Sequence, residues 1–246
     1  MFEWSDKRRF SPEALEPVFC EIEAIGYEMS LRRNRDKDLD EHGRYWLRNF
    51  KVWEYPTVLE WLGCLQKSLG KQHLKVMDLG CHISPFPEYV ARQGHEVWGV
   101  DPGGWGGVEA CRKLYPHVTY RKTGITKLDE GGFDAIYSCS VVEHIGPKGR
   151  VPTLEAVREH LQPEGKQLHV IDFYWPPRSR NRVNFHTLVE ALGFPVPDLT
   201  LCPGAEQFDW AKVQAQVQWL CPERRAARIA VGDDVAGFGA TTEHAV

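Results

Sequence analysis

Residues 76–101, VMDLGCHISPFPEYVARQGHEVWGVD, constrain this chain more than any other stretch. Val76 and Met77, then Asp78 and Gly80, read as a buried strand running into a tight turn. A helix follows, with Ser84 to cap it, Pro85 at its first position and Gly94 just past its end. A second strand then closes on Asp101, which stands 21 positions beyond Gly80. An acid roughly 20 residues after the turn is what a strand, helix, strand unit needs to meet a ribose and accept from its two hydroxyls. The pair therefore marks a ribose-containing cofactor, against the plainer possibility that Asp101 and PGGWGG (102–107) form an acidic turn.

From residue 74 onward short apolar runs alternate with amphipathic segments, the pattern of an α/β fold with a mostly parallel sheet and crossover helices. Strands are expected at Lys75–Leu79, Glu96–Val100, Val118–Arg121, Phe133–Cys139 and Gln167–Phe173. A sixth is expected near Thr200, and RIAVGDD (228–234) suggests a closing edge strand. Further helices are expected over Pro152–Leu161, closed by Pro163 and Gly165, and over His186–Leu192. Residues 1–70 read differently: a helix near Pro12–Ala24, a mixed-sign charge run at 32–44, and an aromatic helix from Tyr45 to Leu69 broken near Pro56. The expected organisation is a helical extension over 1–70, capping the active site, and an α/β domain over 71–246.

The 246 residues are 42% hydrophobic and 26% charged, enough for one large domain, and the net charge of −4 gives no global reason to bind nucleic acid or an anionic membrane. Seven scattered cysteines without a C-x-x-C pair suggest reduced thiols and a cytoplasmic protein, as does an N-terminus without an apolar leader segment. The ten dispersed histidines form no metal-binding spacing, so activity is expected to survive a chelator.

The loop also narrows the cofactor. A dinucleotide would call for G-x-G-x-x-G, and here Gly80 is followed by Cys81, His82, Ile83 and Ser84. S-adenosylmethionine has no phosphate and needs one close backbone approach. At this point VMDLGCHISPFPEYVARQGHEVWGVD, FDAIYSCSVVEHI (133–145) and HLQPEGKQLHVIDF (160–173) together resemble the first, fourth and fifth motifs of class I S-adenosylmethionine-dependent methyltransferases. HTLVEALGF (186–194) is similar to the helix that commonly follows. The resemblance implies a Rossmann-like seven-stranded sheet with helices on both faces, and a cofactor across the carboxyl ends of strands one, two and four. It further implies that Asp78 and Gly80 border the methionine portion, that His82 joins them in holding the cofactor, that Asp101 holds the ribose, that Ile125 meets the adenine, and that Cys139 and Ser140 line the wall near the sulfonium. Two positions depart from the family pattern: His82 replaces a second glycine, and Gly124 replaces an acid, leaving Thr123 or Thr126, a backbone carbonyl or water to serve the adenine amine. Pro102 opens a loop whose Trp105 could cover the adenine.

Methyl transfer is an in-line displacement, so alignment and exclusion of water are the protein's main tasks. A hydroxyl acceptor gains from a general base, for which Glu143, His144 and His186 are candidates. The loop 174–185 offers Tyr174 with Arg178, Arg180 and Arg182, which could clamp an anionic acceptor. Trp46, Phe50 and Trp53 share a helical stripe, and Tyr45, Trp53 and Tyr55 are candidates to line the acceptor pocket. The expected function is methyl transfer to O or N of a small metabolite, such as a sugar or natural-product intermediate. The alternatives are a non-catalytic methyltransferase-like subunit that binds a protein partner, and an RNA or protein methyltransferase. The latter is disfavoured because SCSVVEH stands where base-amine methylation uses asparagine, two prolines and an aromatic.

Overall fold

A computed structural model describes residues 12–26, 51, 54–103, 107–174, 215–221 and 226–233. Helices α1 (Pro12–Ile25) and α2 (Glu54–Leu69) precede β1 (Lys75–Leu79), α3 (Phe86–Arg92), β2 (Glu96–Val100), α4 (Gly107–Leu114) and β3 (Val118–Arg121). Then come β4 (Phe133–Cys139), α5 (Pro147–His160), β5 (Leu161–Tyr174), β6 (Ala215–Cys221) and β7 (Ala226–Gly232). The strands form one seven-stranded sheet in the order β3-β2-β1-β4-β5-β7-β6. Neighbours from β3 to β5 pair in parallel, and β7 runs antiparallel to both β5 and β6.

Alternation along the strands separates two cores. On one face Val76, Val97, Ala135, Tyr137, Leu168 and Val170 meet α1 through Phe19 and Ile22, α2 through Val58, Trp61 and Leu62, and α3 through Phe86 and Val90. On the other Met77, Trp98, Val100, Phe133 and Ile136 pack with Ala156 and Val157 of α5. The two helices of the N-terminal segment thus share a core with the sheet, and the Trp61 indole N–H donates to the Asp233 carbonyl at 3.3 Å, just past β7. The first face places the site: Asp78, Gly99 and Tyr137 all point to it, by alternation, beneath α2 and α3. A Cβ on Gly99 would lie 2.5 Å from the Tyr120 ring and 2.9 Å from Cys81 Sγ, so only glycine admits that ring against the strand.

The first four strands occupy the residues expected from sequence. The start of α3 is corrected by one residue: Pro85, not Ser84, is the N-cap, and Ser84 stands before it, accepting from the Phe86 N–H at 3.2 Å, while Gly94 follows the helix end at φ 95°. Other expectations are corrected. Pro56 does not interrupt α2, in whose first turn it sits with no carbonyl for its missing N–H to serve; residues 45–50, where the expected aromatic helix begins, lie outside the described residues. Pro152 does not begin a helix either, because α5 starts at Pro147 and absorbs Pro152, the carbonyl it deprives belonging to exposed Lys148. Pro163 and Gly165 fall inside β5, where the register slips between Phe133 and Ala135 and the extra residues bulge. A Cβ on Gly165 would come 2.5 Å from the Phe133 carbonyl oxygen, which explains the glycine. RIAVGDD does not form the edge: β7 lies inside the sheet, and β6, with its alternating AQVQWLC, is outermost. The helix at 186–192, the strand near Thr200 and the charge run at 32–44 lie outside the described residues.

Candidate functional site

The carboxyl ends of β1, β2 and β4 converge around the turn 79–84. Gly80 takes φ 78° and its N–H donates to the Val100 carbonyl at 2.7 Å, tying the turn to β2. A Cβ there would lie 2.6 Å from both Val141 methyls, so the close approach of the turn to the segment after β4 requires glycine. His82 follows at φ 47°, the left-handed region that histidine enters more readily than β-branched residues. His82 thus takes a positive φ at the position where the resemblance places a second glycine.

Asp101 organises the turn. Its Oδ2 accepts from the His82 N–H at 3.1 Å and its Oδ1 from the Gly103 N–H at 2.6 Å. Each oxygen still has a lone pair to offer, and the carboxylate is partly exposed beside the turn. Asp78 is 5% exposed and accepts from the Tyr137 hydroxyl at 3.1 Å. Burial pushes its carboxyl up to about 7, against the pull of the Tyr137 bond and Lys51 and with reinforcement from Asp101. Asp78 therefore exchanges a proton near neutral pH.

Pro102 is exposed at the mouth, and Ile125 is buried in a short turn in the same core as Leu79 and Val100. Thr123 donates its hydroxyl to the Gly124 carbonyl at 3.2 Å, leaving its oxygen lone pairs to accept. Cys139 ends β4, half-buried and outside any disulfide, and Ser140 follows at φ 55°. Glu143 is partly buried and His144 exposed on the turn Val142–His144. Tyr55 is buried, stacked on Phe86 with ring centroids 4.0 Å apart, and its hydroxyl shares a hydrogen bond of 3.0 Å with Ser84 Oγ. Tyr174 ends β5, and its side chain is not described; Tyr45, Trp53, Trp105, Arg178 and His186 lie outside the described residues.

Two residues of this site escape sequence reasoning. Lys51 Nζ and Glu54 Oε2 form a buried ion pair at 2.6 Å, and Glu54 Oε1 accepts from the Ser140 hydroxyl at 3.2 Å. A lysine and glutamate three apart at a helix start look like an ordinary solvated pair. Ser138 and His169, by contrast, form a hydrogen-bonded pair at 2.8 Å that suggests nucleophilic chemistry, but both are sealed in the core. Burial lowers the His169 imidazole to about 3, and its other nitrogen is engaged with Gln167, so the pair is structural. Among the described residues no three His, Cys, Asp or Glu side chains gather to hold a metal, and no helix is long and apolar enough to cross a membrane.

Residues 76–165, which span β1 to the start of β5, match the family described as "Methyltransferase domain". This segment of the chain is similar to a methyltransferase domain. Domains of this class take S-adenosylmethionine as methyl donor. No curated protein matches the chain in sequence. Among solved structures, 1,6-didemethyltoxoflavin-N1-methyltransferase of Burkholderia thailandensis is 17% identical, covering 91% of each chain with a TM-score of 0.48. The N-methyltransferase NodS of Bradyrhizobium japonicum is 15% identical, over 74% of this chain and 89% of its own, at 0.48. A TehB-like methyltransferase of Corynebacterium glutamicum is 16% identical, over 72% and 95%, at 0.46.

The site suits the donor. Gly80 lets the segment after β4 close against the turn, Asp101 offers two lone pairs at the mouth, and no second or third glycine builds a pyrophosphate seat.

Proposed function

We propose that this methyltransferase moves the methyl group of S-adenosylmethionine to O or N of a small metabolite, a sugar or natural-product intermediate. The observation that carries this is the turn 80–84, shaped by the positive φ of Gly80 and His82 and braced by both oxygens of Asp101. It provides a ribose acceptor and one close backbone approach, which is what this donor requires. The bound donor supplies an electrophilic methyl group beside a sulfonium. Asp101 accepts from the ribose hydroxyls, Asp78 faces the ammonium of the methionine portion, Ile125 and Thr123 serve the adenine, and Cys139 and Ser140 form the wall at β4. Residues 1–70 form the cap, with Tyr55 and the segment before it on the acceptor side, and Glu143, His144 or His186 receives the proton of a hydroxyl acceptor. Trp105 would cover the adenine, and Tyr174 and Arg178 would meet the acceptor.

Incubating the full chain with methyl-labelled donor and panels of small amines and hydroxylated metabolites tests this. Label is expected in a small product; label appearing instead in protein or RNA would overturn the acceptor class.

Asp78 makes this function pH-dependent. In the unfolded chain the carboxyl titrates near 3.8, and in the fold near 7, so the folded state binds a proton that the unfolded state has lost. Its contribution to the stability of the ligand-free protein is therefore fully present below about pH 4 and is lost as pH rises through about 7. Donor affinity moves the other way, because an ammonium group prefers the ionised carboxylate, and should rise between about pH 6 and 7.5. Calorimetric titrations with S-adenosylhomocysteine at several pH values check this. An affinity that is flat over that range, or unchanged in its slope by Asp78→Asn, contradicts the role of Asp78.

A further inference from the structure

Ser140 follows the last residue of β4 with φ 55°, a conformation strained for any residue with a Cβ. Two bonds hold it there. Its N–H donates to the Val170 carbonyl of β5 at 2.8 Å, and its hydroxyl donates to Glu54 Oε1 at 3.2 Å. Glu54 is wholly buried at the first residue of α2, and Lys51, itself 9% exposed, binds its other oxygen. A buried carboxylate is costly unless each oxygen is served, and here one oxygen goes to a lysine and the other reaches across to the turn after β4. Val141, whose methyls lie against Gly80, is the next residue, so the orientation of Ser140 also fixes what stands over the turn after β1.

We propose that Glu54 is a positioning residue for methyl transfer: through the Ser140 hydroxyl it holds the turn after β4 in its left-handed course, and so makes α2 a working part of the donor site. This inference rests on the function proposed above, and it assigns to the N-terminal segment a task beyond covering the acceptor. Glu54 need not touch the donor.

The test is calorimetric titration of the full chain with S-adenosylmethionine, with the unfolding temperature of each ligand-free variant followed in parallel. Ser140→Ala keeps the strain and loses the tether, and should weaken binding on the order of 10-fold, a typical coupling for one hydrogen-bonded pair. Ser140→Gly also loses the tether but takes positive φ freely, and should bind more tightly than Ser140→Ala. Glu54→Ala should match Ser140→Ala alone, yet cost little more in the Ser140→Gly background, where there is no hydroxyl to hold. Glu54→Gln, which keeps an acceptor for that hydroxyl, should retain most of the affinity. A Glu54→Ala loss of the same factor in both backgrounds would mean that Glu54 only anchors α2, and would overturn the proposal. If Glu54→Ala does not fold, equal affinities of Ser140→Ala and Ser140→Gly would overturn it alone. Failure of the unsubstituted protein to bind the donor would instead sink the methyl-transfer function itself.

Discussion

Asp101→Ala is expected to weaken S-adenosylhomocysteine binding by ~100-fold or more, since two charge-assisted hydrogen bonds to ribose contribute about 1.5–3 kcal/mol each. The loss has a second source. Both Asp101 oxygens already hold N–H groups of the protein, His82 at 3.1 Å and Gly103 at 2.6 Å, so the substitution also frees the turn. Asp101→Asn separates the two: its single carbonyl oxygen can hold one N–H but cannot brace both segments and accept from both hydroxyls. It should fall between the parent and Asp101→Ala. Binding within about threefold of the parent for Asp101→Ala would mean the ribose is held elsewhere.

Gly80→Ala should damage both the fold and the site. The new Cβ would stand 2.6 Å from both Val141 methyls, on a residue at φ 78°. Left-handed strain of about 1–2 kcal/mol and overpacking of about 1–3 kcal/mol together predict an unfolding temperature lower by roughly 5–15 °C. Adding Val141→Ala relieves the overlap but not the φ strain, so the double substitution should recover part of the temperature and less of the donor affinity. Full recovery of both would show that the turn tolerates a side chain after all, and that its glycine is no requirement of the donor.

How much of this was legible in sequence depends on how far each signal is local. The strands β1 to β4 were readable to the residue because each is a short apolar run closed by an acid, a glycine or a turn, and Asp101 was readable because its spacing from Gly80 is set by the length of one helix and one strand. The positive φ of His82 is legible only through the resemblance, which places a second glycine there. Pro152 and Gly165 misled because both residues look like breaks, yet α5 spends an exposed carbonyl on the first and β5 bulges around the second. β7 is legible as a strand but not as an interior one, since nothing local says that β6 adds outside it. Lys51 and Glu54 were not anticipated because their burial is created by the docking of α2 onto the sheet, more than eighty residues in sequence from Ser140, a contact that no periodicity announces. Tyr55 was anticipated as a pocket residue, and its position combines a stack on Phe86 with a hydrogen bond to the turn at Ser84.

The most direct measurement is thermal unfolding of the purified chain with S-adenosylhomocysteine and, in parallel, with NADH. A ligand at ~100 times its dissociation constant stabilises the native state by about 2.7 kcal/mol, or roughly 5–10 °C for a chain of this size. A turn with one glycine, an acid placed for ribose and no pyrophosphate seat predicts that rise with S-adenosylhomocysteine and none with NADH. A rise with NADH alone, or none with either at millimolar concentration, would contradict it.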